Sequence, residues 1–308
     1  MAPIESVANE RERWARLGWH GIACDVPEDW CPGSLEGDYA SGYLRVEDET
    51  SVRLELRWES AGRSVLPASA LVDNFLKQTR KKLPRGAPEP AVDRGRAVKE
   101  LAGLDHEAFT WRGGFNAHSV LLVEPDSRRV VHVRVFFGEA DDAKGQARRI
   151  FGSLAVAPRG GMLEWAVFGL RFQMPERWRL EQSALQTGRL QFRFRSGSDE
   201  LEVARQSLAE VTLRNATLDA WFQGLFAKSL RGFRTASRAA EYRGHPAMRC
   251  GGVLSLRARP LAVFRRRRIA TGLAWHCPEA DKVFAIRCDT ETADDPLADR
   301  VADSIVCH

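Results

Sequence analysis

The sequence contains no apolar run that approaches the roughly 20 residues of a transmembrane helix. Its first residues, MAPIESVANERERWARL, lack the apolar core of a secretory signal peptide. Its six cysteines include no C-x-x-C pair, which argues against a zinc ribbon and against a redox dithiol. We therefore expect a cytoplasmic protein with reduced thiols and no membrane span.

The motifs of the common enzyme classes are also missing. There is no G-x-S-x-G, no H-E-x-x-H, no phosphate-binding P-loop and no G-x-G-x-x-G after a strand. His106 stands beside Glu107 as a general base could, but no nucleophile is evident nearby, and His132 lies within a predicted strand. We predict that both histidines are structural or exposed. The sequence thus predicts no catalytic residue, no cofactor and no enzymatic activity.

Lysine is scarce, with seven residues against 39 arginines, and the charge is unevenly distributed. Residues 1–157 carry a net charge of −2, whereas the remainder carries +7. Hydrophobic residues make up 44% and charged residues 28%, which is typical of a globular protein. A length of 308 residues is sufficient for two domains.

Matched segments indicate that the chain is an internal duplication. The segment GIACDVPEDW (21–30) is repeated as GLRFQMPERW (169–178), and EPDSRRVVHVRV (124–135) is repeated as CPEADKVFAIRC (277–288). A third pair is ARRIFGSLAV (147–156) with ADRVADSIVC (298–307). Because the matches keep the same order, we predict one repeat over residues 1–157 and a second over residues 158–308.

The elements of each repeat predict an α+β class. Segments with a period of two, such as SVRLELRW and VVHVRVFF, indicate half-buried strands, and residues 68–83 indicate a helix. A second, Asp-rich helix is expected near the end of each repeat. We expect each domain to be a mostly antiparallel sheet of about six strands with helices packed on its faces.

This element order, and the strand that leads into Pro27-Glu28-x-Trp30 or Pro175-Glu176-x-Trp178, resembles the PsbP-like fold. That superfamily includes a photosystem II extrinsic protein, a Ran-binding import factor and chaperones that hold secretion effectors. The resemblance implies a scaffold or binding role, and it implies no catalytic residues.

The cysteines are predicted to fill the core, because free cysteine packs as a small hydrophobe. Four of them align with apolar residues of the other repeat: Cys24 with Phe172, Cys250 with Phe109, Cys288 with Val135 and Cys307 with Val156. We therefore predict no metal. The alternative is a metal site of His276, Cys277, Cys307 and His308, whose strands could be neighbours.

The second repeat carries twelve additional residues within the stretch from Cys250 to Pro278, which contains no acidic residue. This stretch is predicted to form an extended hairpin with exposed arginines. The candidate partner-binding residues are Arg257, Arg259, Arg265, Arg266, Arg267 and Arg268. The alternative is a solvated sheet edge whose charges prevent aggregation.

Together these features favour a non-enzymatic binding or adaptor protein whose partner is another protein. One alternative is a chaperone-like clasp for a client segment. The other is binding of a polyanion, either nucleic acid or anionic lipid, through the arginine-rich hairpin. The sequence does not indicate an oligomeric state.

Overall fold

The computed structural model describes residues 13–62, 64–138, 143–255, 268–292 and 295–308. The chain divides into two compact units, Met1–Gly169 and Leu170–His308, whereas the sequence predicted a boundary after residue 157. The boundary lies later because residues 162–167 form a strand that pairs with the first strand of unit 1, with Gly18 opposite Ala166. Arg16 also bonds Glu164 at 3.1 Å across that pair.

Unit 1 is built mainly of strands. Its described strands are β1 (Trp14–Trp19), β2 (Ile22–Pro27), β3 (Cys31–Gly37), β4 (Ser41–Glu47), β5 (Val52–Ser60), β6 (Ala91–Arg96), β7 (Asp105–Gly113), β8 (Phe115–Glu124), β9 (Arg129–Phe136), β10 (Ala155–Val156) and β11 (Met162–Val167). Its described helices are α1 (Ala68–Lys81), α2 (Lys144–Gly152) and a 3₁₀ turn at Lys99–Leu101.

Unit 2 follows the same plan. Its described strands are β12 (Leu170–Pro175), β13 (Arg179–Gln186), β14 (Arg189–Ser196), β15 (Asp199–Ser207), β16 (Phe233–Tyr242), β17 (His245–Leu254), β18 (Ile269–Cys277) and β19 (Lys282–Thr290). Its described helices are α3 (Ala209–Arg214), α4 (Leu218–Leu225) and α5 (Leu297–Ser304). Within the described residues, no helix combines the length and the apolar character needed to cross a bilayer.

Each unit contains a seven-stranded antiparallel sheet, and the two sheets have the same strand order. The order is β3-β4-β5-β9-β8-β7-β6 in unit 1 and β13-β14-β15-β19-β18-β17-β16 in unit 2. In unit 1, β10, β2, β1 and β11 are neighbours in that order in a smaller antiparallel sheet. The duplication remains a hypothesis, and the equal strand order is the structural observation that supports it.

The predicted α+β class is wrong. Strands account for 51% of the structure and helices for 17%, and the large sheets of the described residues are antiparallel. The prediction failed because it counted about six strands in a repeat and treated the helices as covering layers. The helices are short: α4 and α5 have eight residues each, and α2 has nine.

The positions that the sequence matched between the repeats are buried in both units. Trp30 and Trp178 are 5% and 2% exposed, and each donates its backbone N–H to the carbonyl of Pro27 or Pro175 in the same tight corner. The other matched core positions are also buried: Ile22, Leu170, Val133, Ile286, Ile150 and Val301. The sequence matches between the repeats therefore identified buried positions correctly.

A buried ion pair joins the central strands of unit 2. Register places Glu202 on β15 opposite Arg287 on β19, and each residue is 1% exposed. The Arg287 guanidinium donates to Glu202 at 3.2 Å, to Glu200 at 2.7 Å and to Asp289 at 3.3 Å, and also to the carbonyl of Ser229 at 2.9 Å. A buried charge is tolerated only with such partners.

Unit 1 has the corresponding pair in a different setting. Glu55 on β5 lies opposite Arg134 on β9, and the two side chains are joined by a hydrogen bond. Tyr43 donates to the other Glu55 oxygen at 2.6 Å. Here aromatic rings surround the arginine, with the Phe75 centroid at 6.0 Å and the Phe136 centroid at 5.4 Å.

We predict that Arg287→Met destabilises unit 2 by about 3–5 kcal/mol, because the buried Glu202 carboxylate loses its buried guanidinium partner at 3.2 Å and keeps the partly exposed Arg193 at 3.5 Å. Chemical denaturation measures the free energy of unfolding. The matched control is Arg195→Met, since Arg195 pairs with Glu181 but is 47% exposed. The control should cost less than about 1 kcal/mol. Equal losses in the two variants would contradict the prediction.

Candidate functional site

The arginine-rich segment is described only at its end. Arg257, Arg259, Arg265, Arg266 and Arg267 lie outside the described residues. The side chain of Arg268 is 16% exposed and is engaged within unit 2, because it donates to the Asp289 carboxylate at 2.8 Å and lies 3.5 Å from Asp199. The expectation that this arginine is largely exposed is therefore wrong. Its proposed role toward a partner remains a prediction.

The strands beside this segment do not extend beyond their counterparts. β17 and β18 have ten and nine residues, and β7 and β8 have nine and ten. The expected lengthening of the hairpin is therefore absent from the described strands. Residues 256–267, which connect them, lie outside the described residues.

The larger candidate site is a cleft of about 730 Å³ in unit 1, between α1 and strands β3 to β5. Leu71 and Phe75 from α1 form one wall, and Leu121 and Val130 from the sheet lie beneath them. The amphipathic sequence of α1 explains this arrangement. Val72 and Leu76 are buried against β7 and β8, and the adjacent face of the same helix lines the cleft.

The opposite wall depends on a close approach of two strands. The Trp58 ring lies so near Gly42 that a Cβ at that glycine would be 2.1 Å from the ring. Trp58 is 3% exposed and donates its indole N–H to the carbonyl of Asp38 at 2.8 Å. Any larger residue at position 42 would displace this indole and change the wall.

His132 lies on the floor of the cleft as a neutral group. Its ring packs edge-on against Phe75 at 4.6 Å, and its buried Nε2 has no hydrogen-bond partner. Burial, together with the charges of Arg134 and Arg57, lowers the pKa of His132 to about 3. It is therefore uncharged at neutral pH.

The rim of the cleft is polar, with acidic groups in excess. Glu36 and Glu59 are exposed, and Glu36 accepts a bond from Ser34 at 2.6 Å. Arg57 is the cation at this rim, and it lies over the Tyr43 ring at 4.9 Å. Burial and the bond to Glu55 raise the pKa of Tyr43 to about 12, so this phenol remains a neutral donor.

Unit 2 has a smaller and more polar cleft of about 410 Å³ at the end of α4. Arg189, Arg193 and Lys228 line it, together with Glu202. Arg193 lies 3.5 Å from Glu202, which also forms an ion pair with Arg287. The clefts of the two units therefore differ in charge and in apolar lining.

The histidine predicted beside an acid is structural. His106 bonds the Leu104 carbonyl through Nδ1 at 2.9 Å and accepts the backbone N–H of Val98 at Nε2. Its neighbour Glu107 is held by Arg94. Sequence reasoning did not identify His132 as a cleft residue, although alternation within β9 places it on the same face as Arg134.

The cysteines divide into two groups. Cys24, Cys250 and Cys288 are buried among apolar residues, as predicted, and Cys31 is exposed. Burial raises the pKa of Cys24 and of Cys288 to about 12, so both are inert thiols. Cys277 and Cys307 instead lie beside two histidines.

No protein-family model and no curated protein matches this chain. Among solved structures, the apo immunity protein TplEi of T6SS from Pseudomonas aeruginosa is 10% identical, with a TM-score of 0.37 over 97% of this chain and 98% of that chain. TplEi complexed with "L" peptide is 11% identical, with a TM-score of 0.34 over 96% and 98%.

MucB in complex with MucA(peri) is 10% identical, with a TM-score of 0.17 over 96% of this chain and 92% of that chain. TM-scores this low support no inference about the fold or the function of this chain. None of these proteins is described as PsbP-like, so that resemblance remains a hypothesis.

We predict that unit 1 loses stability in mild acid because His132 and His20 are neutral when folded. Burial lowers the pKa of His20 to about 4, whereas an unfolded histidine titrates near 6.5. The contribution of these two neutral histidines to the free energy of unfolding is complete above about pH 6.5 and is lost as the pH falls toward 3. His132→Phe should reduce the pH dependence of the unfolding free energy by up to about 1.4 kcal/mol per pH unit. Urea unfolding at several pH values measures this, and an unchanged slope would contradict it.

Proposed function

We propose that this chain is a non-enzymatic binding protein that recognises a partner protein through the α1 cleft of unit 1. The occupant we propose is a partner segment with an apolar side chain next to a basic one. The observation that carries this proposal is the combination of an aromatic wall with an acidic rim in one open cleft.

The apolar wall supports the first part of this specificity. Leu71 and Phe75 are only half-buried on α1, so they retain apolar surface that faces the cleft. Burying such surface against an apolar side chain stabilises a complex by roughly 25 cal/mol per Å². Aromatic side chains in pockets of this kind often carry much of the binding energy.

The charges at the rim support the second part. Glu36 and Glu59 are exposed carboxylates at the edge of the apolar surface, where they can accept from a lysine or an arginine of the partner. The same charges disfavour an anionic ligand. Rim charges of this kind contribute mainly to specificity and to the rate of association.

His132 on the floor and Arg134, which is near the cleft without lining it, favour binding over catalysis. The guanidinium of Arg134 is engaged by Glu55 and lies near aromatic rings. His132 is neutral and meets Phe75 rather than a carboxylate. A general base needs a pKa near the working pH and a group that it can deprotonate. The described cleft residues do not assemble that pair.

Polyanion binding is the alternative that a specific observation favours. Arg189, Arg193 and Lys228 line the cleft of unit 2, and unlike the rim of unit 1 they would attract phosphate groups. This alternative predicts steep salt dependence. A chaperone-like clasp predicts binding of many unrelated apolar segments without a preference for basic residues.

We predict that random peptides displayed on phage and selected on the full chain will be enriched in an aromatic or aliphatic residue flanked by Lys or Arg. Fluorescence anisotropy with one enriched peptide then measures the dissociation constant. Glu59→Arg should weaken binding roughly fivefold, because it reverses a rim charge.

The control for this change is Glu49→Arg, since Glu49 is exposed in the turn at the far end of the β4–β5 hairpin. Glu49→Arg has the same net charge as Glu59→Arg, and it should bind the peptide with the same dissociation constant as the unmodified chain. Equal weakening in both variants would show a general charge effect and contradict the proposal. Binding of duplex DNA that falls steeply with salt would favour the polyanion alternative.

A further inference from the structure

Four side chains with nitrogen or sulfur ligand atoms meet at one end of the sheet in unit 2. They are His245, Cys277, Cys307 and His308, and their ligand atoms all lie within 4.8 Å of one another. His245 is 4% exposed and Cys277 is fully buried. The cluster joins two sheet strands to the segment that follows α5.

Strand register brings the first two residues together. β17 and β18 are antiparallel, and Ala247 lies opposite Trp275. Continuing that register by two residues places His245 opposite Cys277, on the same face. His276 points to the other face, so the alternative metal set that the sequence suggested, with His276, is not the set that meets, and the sequence had favoured no metal at all.

The distances match those of a tetrahedral metal site. The Cys277 sulfur lies 3.3 Å from Nδ1 of His308, and the Cys307 sulfur lies 3.4 Å from the same atom. The Cys307 sulfur is also 3.6 Å from Nε2 of His245. Zinc bonds of about 2.3 Å to sulfur and about 2.0 Å to nitrogen separate neighbouring ligand atoms by about 3.5 Å.

We propose that His245, Cys277, Cys307 and His308 bind one Zn²⁺ ion in a structural Cys₂His₂ site. Two thiolates and two imidazoles are a donor set that zinc prefers. Four protein ligands leave no open position for substrate, so the role is to fasten the C-terminal segment to the β17–β18 pair. This inference concerns unit 2 and does not depend on the proposed cleft of unit 1.

An acidic side chain lies beside the ligands. Nδ1 of His245 lies 3.7 Å from Glu279, beyond hydrogen-bond distance, and the Cys277 thiol donates to the same carboxylate at 3.4 Å. A zinc-bound Cys277 would be a thiolate with no proton to donate, and a small movement of the Glu279 carboxylate would let it orient His245 through the nitrogen that zinc does not use.

The segment that carries Cys307 and His308 is itself anchored. Tyr242 donates to Asp303 at 2.6 Å, and Arg243 donates to the Ile305 carbonyl at 3.0 Å. Arg243 and Gly244 have φ values of 53° and 80°. Both central residues of the two-residue hairpin turn before His245 therefore have a left-handed backbone conformation. This turn places His245 beside the segment after α5, to which Arg243 of the same turn donates a hydrogen bond.

The fold alone does not require the cluster. The sequence matches between repeats place Leu104, Glu124, Val156 and Ala157 of unit 1 at the four positions. None of these is a nitrogen or sulfur ligand, yet the sheet of unit 1 has the same strand order. The ligand set of unit 2 is therefore an addition to the shared fold rather than a requirement of its core.

The experiment is metal analysis of the full chain purified under reducing conditions without chelators. We expect about one zinc per chain by elemental analysis. We also expect thiolate charge-transfer and tetrahedral ligand-field absorption after replacement by Co²⁺. X-ray absorption should show two sulfur and two nitrogen neighbours at about 2.3 and 2.0 Å. A reduced chain with no stoichiometric zinc and no such cobalt spectrum would overturn the proposal.

Variants test the ligand assignment. Cys307→Ser and His308→Ala should lose stoichiometric zinc, and Glu279→Gln should weaken zinc affinity about tenfold. The controls are His276→Gln, next to a ligand in sequence, and Cys31→Ser, an exposed thiol of unit 1, and both should retain zinc. Circular dichroism checks that each variant is folded. Full zinc retention in folded Cys307→Ser and His308→Ala, or a Cys277–Cys307 disulfide in the native chain, would refute the site.

Discussion

A charged pair across two central strands constrains both units. Glu55 faces Arg134 in unit 1, and Glu202 faces Arg287 in unit 2. A shift of one residue in register would move every side chain to the other face of the sheet. Such a shift would leave these charges among apolar side chains without partners, at a cost of several kcal/mol. The pair therefore selects one alignment of the strands, and the helix packing and the clefts depend on that alignment.

What surrounds the pair explains why the two clefts differ. In unit 1 a helix of 14 residues places the Phe75 ring 6.0 Å from the Arg134 guanidinium, so the wall that α1 forms is partly aromatic. In unit 2, α4 has eight residues, and three carboxylates contact Arg287, whose guanidinium also lies 5.9 Å from the centroid of the Phe233 ring. The same pair thus lies under an apolar surface in one unit and within a polar network in the other. Units with one strand order can in this way form clefts of different chemistry.

Sequence reasoning was reliable where the signal was local. Alternation identified the buried positions on β9 and β19, and the Pro-x-x-Trp corners have the same hydrogen bond in both units. It failed where distant strands meet. His245 is 62 residues from Cys307, and only the pairing of β17 with β18 brings it to Cys277. The alternative metal set, proposed because its strands could be neighbours, contained both His276 and Cys277, although adjacent strand residues point to opposite faces. Alternation indicates the face of β9 on which His132 lies, but only the position of α1 shows that this face borders the cleft.

The strand order also determines when each unit can fold during synthesis. β5 pairs with β9, so Leu54 meets Val135, and β15 pairs with β19, so Val203 meets Ile286. Both pairings join segments about 80 residues apart, and contacts of this range form slowly because a long loop must first close. On the ribosome, the hairpin of β4 and β5 emerges well before β9, and its inner edge stays unsatisfied until β9 is made. During that interval Leu54 and Leu56, which are buried in the finished sheet, are accessible to chaperones and to aggregation.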